Sequence, residues 1–420
     1  MWYIMNKKTA SFAFLFWMLF LLPDVQAQNS TSSPFSIFGI GEIEMRDFGR
    51  TTGLGSVGIG LQSENFLNRR NPAGISGIDT LRFILDVSAA VKLSEFFTSA
   101  NKGRTVDFNF KSLAVGVRLS KRWTSSVGLC PYSNVGYQLN RQQQSEGISD
   151  PVNNVYSGSG GFNKFYWTNA YELFRGFSLG VTSSFIFGNI TQNAEEDIFT
   201  FKDTYNVSKM YFDFGAQYSH WFGKHTNVII GGIYGYESKM SIECREIISS
   251  YNMIEKNQRK PDLKSYIPES YGAGFSILRN KKDMEWVFAA DYQFKKWSVD
   301  PLKHKRFSYA DSHIYSAGLQ LTPNKSRPEK YIHVMRFMMG ACYYQSYLKV
   351  NGYQVNDYSV SLGVGLPFYS QVRNTLSYVN VAVNVGESGT GQRGGISERY
   401  VLFSVNLSLI ERWFAKYQWQ

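Results

Sequence analysis

The residues that could do chemistry are few, and their spacing decides what they can do. Gly53-x-Gly55-x-x-Gly58 has the spacing of a dinucleotide-binding turn. Such a turn needs a hydrophobic strand before it and a helix after it, with an acid further on for the ribose. Neither flank is present, so the stretch reads as a compact glycine-rich segment. His220, His225, His304, His313 and His333 are scattered. Cys130, Cys244 and Cys342 are odd in number and far apart, which gives neither a disulfide framework nor a zinc site. The nearest base–nucleophile pairs are His304 with Ser308 and His313 with Ser312. Four residues along a strand span about 13 Å, and adjacent strand residues point to opposite faces. Neither pair can share a proton. Glu195-Glu196-Asp197 is acidic enough for calcium but lacks the spacing of a binding loop, and reads as a solvated tip. The sequence therefore predicts no catalytic residue, no metal and no cofactor.

What remains is the framework. Aromatic residues make up 16% of the 420 residues and charged residues only 18%, a balance that suits a lipid-facing wall with interfacial aromatic girdles. The mean hydropathy is slightly negative, and after the N-terminus no apolar run reaches the roughly 18 residues of a spanning helix. Residues 1–27 read as a secretory signal: Lys7 and Lys8, the apolar run Ser11 to Leu22, then Val25-Gln26-Ala27 as a small-x-small cleavage site. A retained membrane anchor is the alternative. The net charge of +11 is placed mostly in connections, such as Asn257 to Lys260 and Lys303 to Arg306. No basic face is interleaved with aromatics, so nucleic acid is not an expected partner. Basic loops on an exported protein suit anionic lipopolysaccharide, or plain solvation.

From Leu81 onward the apolar residues recur at every second position. Leu81, Phe83, Leu85, Val87, Ala89, Val91 and Leu93 alternate with Arg82, Asp86, Ser88 and Lys92. Val379, Val381, Val383 and Val385 alternate with Asn380, Ala382 and Asn384 in the same way. Period two is the signature of a strand with two different faces. A soluble sheet exposes Lys, Glu and Arg on its polar face, but here that face is mostly Ser, Gly, Thr, Asn and Ala. Small polar residues fit the inside of a filled barrel whose apolar face meets lipid. About fourteen segments follow this rule: near 81–96, 106–121, 122–142, 156–174, 176–194, 199–222, 226–247, 266–279, 284–298, 307–322, 331–349, 355–366, 375–387 and 398–410. The connections alternate in length. Lys121-Arg122, Arg175-Gly176 and Gly223-Lys224-His225 are short, while Gln143 to Tyr156, Ile248 to Tyr266, Asp300 to Arg306 and Glu387 to Ser397 are long. The expected fold is all-β: a transmembrane antiparallel barrel of residues 81–410, with 411–420 as a tail or the end of the last strand.

Two features set this barrel apart from a generic one. Residues 28–80 precede the first wall segment and carry Gly53, Gly55, Gly58 and Gly60, followed by Asn71-Pro72-Ala73. Pro131 falls in the middle of the third segment, where it cannot donate to a ladder and predicts a bulge or kink. The glycine-rich stretch with its Asn-Pro-Ala motif, the strand number and the kinked third strand together resemble the FadL-type outer-membrane transporters. That resemblance implies that residues 28–80 form a hatch inside the barrel. It also implies a lateral window near Pro131, although a local bulge without a passage fits the residue equally. Inward Arg82, Asp86, Lys92 and Arg118 either hold the hatch or line water. Asn71 is the expected key hatch residue, because its amide can satisfy backbone groups at the turn before Pro72.

The functional expectation is an outer-membrane channel of a Gram-negative bacterium, carrying a hydrophobic small molecule such as a long-chain fatty acid. The hatch would shift, and the ligand would leave sideways near Pro131. Expected partners are that ligand, outer-membrane lipid and lipopolysaccharide, and the barrel-assembly machinery during insertion. The alternative is a non-transporting barrel that serves as a scaffold, like the PorP/SprF-type barrels of secretion and gliding machineries.

Overall fold

The computed structural model describes residues 31–412, except 63, 98–101, 144–151, 197, 252, 282–283, 299–306, 325–329, 371–374 and 392–394. The expected signal, the basic stretch Lys303 to Arg306 with His304, and the tail from Trp413 onward lie outside the described residues.

A short strand β1 (Glu42–Ile43) comes first. The wall then runs β2 (Arg82–Phe97), β3 (Lys102–Arg118), β4 (Trp123–Gln143), β5 (Val152–Phe174), β6 (Phe177–Glu196) and β7 (Phe199–Phe222). It continues β8 (Thr226–Gly235), β9 (Ser238–Ser250), β10 (Met253–Ile267), β11 (Glu269–Lys281) and β12 (Met284–Lys296). It ends with β13 (Phe307–Tyr309), β14 (Ser312–Thr322), β15 (Arg336–Val350), β16 (Tyr353–Ser370), β17 (Thr375–Gly389) and β18 (Ser397–Arg412). β8 with β9, β10 with β11 and β13 with β14 each form one crossing interrupted by a short break, so the described wall has fourteen crossings. All pairings between them are antiparallel, and β18 closes on β2 from Ser397↔Phe97 to Arg412↔Arg82. Closure is what lipid demands, because a free strand edge in hydrocarbon leaves backbone groups unmet.

The alternation read from the sequence is the alternation of the wall. Leu113, Val127, Phe185, Ile230, Phe275, Leu319, Leu362, Val381 and Phe403 are exposed to the outside. The opposite face, with Ser112, Ser126, Ser184, Ser276, Ser316, Ser361 and Asn406, is buried inside.

The expected alternation of loop lengths needs correction. Residues 248–266 are not a loop. They are the far ends of β9 and β10, joined by a tight turn at Tyr251, whose φ is +48°. Glu387 to Gly389 likewise belongs to β17. Asn257 to Lys260, expected in a connection, sits in β10. Among the described residues, that rim is built by long strand ends. The opposite rim has tight turns at 119–122, 175–176 and 223–225, and also the longer connection 323–335 with its 3-10 turn Tyr331–His333. The sequence signal failed at 248–266 because charged, two-sided strands outside lipid lose the apolar alternation.

Candidate functional site

Residues 31–78 lie within the ring of strands and are seated in two different ways. The lower part, 49–78, holds two 3-10 turns, Arg50–Leu54 and Pro72–Gly77. Gly55 ends the first with φ +68°, a left-handed conformation that only glycine adopts freely. The wall meets this segment with its own glycines. A Cβ on Gly231 would lie 2.0 Å from the Ile59 carbonyl oxygen, and one on Gly340 would lie 2.2 Å from the Gly55 nitrogen. Gly180, Gly215, Gly318 and Gly363 face Pro72, Asn71, Leu54 and Gly53 in the same manner. Backbone lies on backbone around most of the ring, so the glycines on both sides are there for close approach.

Polar side chains then meet the segment's backbone groups. Asn71 is fully buried. Its Nδ2 donates to the carbonyls of Ile59 (2.8 Å), Ala216 (3.1 Å) and Gly232 (3.4 Å), while Oδ1 accepts the Ala73 N–H at 3.0 Å and caps the turn that starts at Pro72. Asp291 on β12 accepts the successive N–H groups of Gly58 (2.5 Å), Ile59 (2.8 Å) and Gly60 (3.4 Å). Gln217 Nε2 donates to the carbonyls of Ile59 and Leu61, and Ser276 to that of Gly60. Asp291 and Gln217 were not singled out from the sequence. The available signal was an acid and an amide at inward positions of strands otherwise lined by small residues.

The four charged residues expected inward take different places. Arg118 donates Nη1 to the carbonyls of Ser76 (3.0 Å) and Ile78 (2.9 Å) and pairs with Glu172. Arg82 sits at the rim and pairs with Glu64 and Asp79. Lys92 reaches Glu398 at 2.6 Å and Glu42 at 3.6 Å. Asp86 is buried and accepts from Asn406 and Ser408 of the neighbouring strand β18.

The upper part, 31–48, is held by side chains. Ser32 donates to Asp107 at 2.7 Å, Lys111 to Glu44 at 2.6 Å, and Arg46 pairs with Asp357 at 2.7 Å and donates to the Tyr400 hydroxyl. Phe35, Ile40 and Ile43 enter an apolar cluster with Val135, Phe162, Trp297 and Tyr347 that fills the upper lumen.

This arm crosses a fault in the wall. β3 and β4 pair from Arg118↔Thr124 only as far as Leu113↔Leu129. Beyond that, β3 stays with β2 and β4 stays with β5, and among the described residues the two form no further pair with each other. The break coincides with Pro131, where the β4–β5 register shifts between Pro131 and Ser133. β1 takes up part of the freed β4 edge, with Glu42↔Asn134 and Ile43↔Ser133, and Glu44 N donates to the Tyr132 carbonyl at 3.0 Å. Behind Pro131 lies a cavity of about 180 Å³. A second, of about 130 Å³, is lined by the charged residues of the arm and of β2 and β3.

The family model BamG matches residues 5–420. The chain belongs to the BamG family. Among solved structures, this BamG-family barrel is similar to a FadL homologue of Pseudomonas aeruginosa, at 11% identity and TM-score 0.54 over 89% of this chain and 99% of that one. The Pseudomonas putida toluene transporter TodX matches at 13% identity and TM-score 0.55, over 88% and 99% of the two chains. The Ralstonia pickettii toluene transporter TbuX matches at 11% and 0.53, over 88% and 98%. No curated protein matches the chain. The fold is that of a FadL-type outer-membrane barrel.

Proposed function

We propose that this barrel passes a hydrophobic small molecule between its lumen and the membrane through the seam between β3 and β4. The observation that carries this reading is the unpaired stretch of the two strands, bridged by the 31–48 arm and not by wall hydrogen bonds. A closed barrel gains nothing from a gap unless something uses it, because unpaired backbone in lipid is costly. The FadL-type neighbours named as toluene transporters support a hydrophobic cargo. In this reading the arm releases the seam while residues 49–78 stay seated, and Pro131 keeps β4 from zipping onto β3.

The test is a disulfide across the β1–β4 pair. Ile43→Cys with Ser133→Cys, in a Cys130→Ala background, should abolish uptake of a radiolabelled fatty acid or toluene into proteoliposomes when oxidised and restore it on reduction. Equal uptake in both redox states would remove the seam from the path.

A second reading rests on the family name and on the dense filling of the lumen. BamG points to the barrel-assembly machinery, and a doubly packed interior suits a structural subunit. Purification of the intact protein from its native membrane decides between the two. A stoichiometric complex with the machinery, together with no uptake in proteoliposomes, would establish the scaffold.

A further inference from the structure

We propose that the cavity behind Pro131 is a binding site for a phosphate group, either carried on a lipid or free in solution. Its lining holds donors with nothing to donate to. Tyr166 and Trp297 are 3% and 2% exposed, and both the Tyr166 hydroxyl and the Trp297 Nε1 lack a hydrogen-bond partner among the described residues. Arg69 uses Nη2 on Asp47 and on the Phe48 carbonyl, which leaves Nη1 unpartnered. Three such donors belong to residues around one cavity, and an acceptor bound there is of the kind that would meet them.

The charges agree. Lys164 and Lys295 line the cavity with no carboxylate within salt-bridge distance among the described residues. Lys164 lies 5.9 Å from the Tyr166 ring centre, and Lys295 Nζ has the Met45 sulfur at 3.4 Å. Arg70 donates to neutral acceptors, the Ser56 carbonyl and Gln293. The other charged groups of the lining are already matched: Glu44 by Lys111, Asp47 by Arg69 and Arg46 by Asp357. Asp213 is the remaining acid. Within the lining three cations face one carboxylate, with Asp291 outside it acting on Arg70, so positive charge is in excess. A doubly charged tetrahedral anion supplies both the charge and enough acceptor oxygens to meet the idle N–H and O–H groups. A neutral hydrocarbon would leave every one of them unmet. The site stands whether or not any molecule crosses the wall.

Isothermal titration of the full chain in a neutral detergent at pH 7.5 tests this, since a phosphate monoester is mostly dianionic above about pH 6. Dihexanoyl phosphatidic acid should bind at least tenfold more tightly than dihexanoyl phosphatidylcholine. Lys164→Gln with Lys295→Gln should erase that preference. Inorganic phosphate binding as tightly as phosphatidic acid identifies the free ion as the ligand; binding tenfold or more weaker identifies the lipid. If the lysine variant fails to show heat-modifiable migration of a folded barrel, Trp297→Phe decides, and it should weaken phosphatidic acid several-fold. Equal affinity for the two lipids, hexanoate binding as tightly as phosphate, or unchanged affinity in a folded variant overturns the proposal.

Discussion

The two halves of the inner segment share both kinds of contact but differ in which one dominates. Residues 49–78 rest backbone on backbone against wall glycines, with Asn71, Gln217 and Asp291 meeting the exposed amides. Residues 31–48 are held by ion pairs, a two-residue strand and the buried apolar anchors Phe35, Ile40 and Ile43, across the place where β3 and β4 part. Contacts between backbones have a single geometry and fail together. Contacts through Lys, Arg and Glu side chains can be broken one at a time, because each chain can rotate away. In the function proposed above, the lower half is the fixed part and the arm the part that releases the seam.

The largest effect should come from giving the lower half a side chain to climb over. Gly231→Val would place atoms against the Ile59 carbonyl and should cost about 3 kcal/mol of docking, the upper end for an overpacked site. The expected result is a barrel that still folds but conducts: large, steady openings in planar bilayers where the native protein is closed. Gly103→Val, at a position with no neighbour within 4 Å of its Cβ, is the control and should stay closed. If both conduct alike, the glycine belt does not seat the segment. A smaller effect follows from Asp291→Asn. The amide still offers one oxygen but loses the charge that holds consecutive N–H groups, a change of about 1–3 kcal/mol. Protease protection of residues 49–78 should fall in that variant, while protection of the arm stays unchanged.

The arm should respond in the reverse sense. Lys111→Met removes the bond to half-buried Glu44, worth about 1–2 kcal/mol, and leaves the apolar anchors Phe35 and Ile43 in place. Hydrogen exchange of residues 31–48 should quicken without any change in 49–78. Quickening of both halves together would mean that they are one rigid body, and the contrast between them would be lost.

Much of this could be read from the chain because lipid imposes a simple rule. In Leu81 to Leu93 and Val379 to Val385 the outward face is apolar throughout, while the inward face mixes polar residues with Ile84, Ala90 and Ala382. The strand count and the buried Ser and Asn face followed from the same rule. Outside lipid the rule stops, and so did the reading: Ile248 to Tyr266 looked like a loop because both faces of β9 and β10 meet water there. The seating of the inner segment was half visible. Gly53, Gly55, Gly58 and Gly60 announced close approach. The wall glycines that meet this segment, Gly231, Gly318 and Gly340, sit more than a hundred residues away on different strands, and nothing local marks them as a belt. Asp291 was hidden for the same reason, since a lone acid on an inward strand position gains meaning only from the three amides that converge on it.

The extended hairpin offers the smallest effect and the sharpest control on the arm. β9 and β10 carry ion pairs as the arm does, but with cations more open to water: Arg259 and Lys260 are 61% and 34% exposed against 9% for Lys111. Lys260 and Gln258 donate to Glu246 and hold its carboxyl below the usual carboxylate range, and Arg259 and Ser241 do the same for Asp262. A carboxyl depressed in the folded state adds stability above its unfolded pKa, about 4, and that stability fades as pH falls through the lower folded value. Exchange at the hairpin amides, corrected for the intrinsic rate, should therefore be flat from pH 7 to about 5 and rise only below about 4. High salt should mimic the acid, because exposed pairs are screened. The arm's Lys111–Glu44 pair, half-buried between strands, should resist the same salt. If salt loosens arm and hairpin equally, the arm is held by surface charge alone, and the apolar anchors Phe35, Ile40 and Ile43 are not what keep it across the seam.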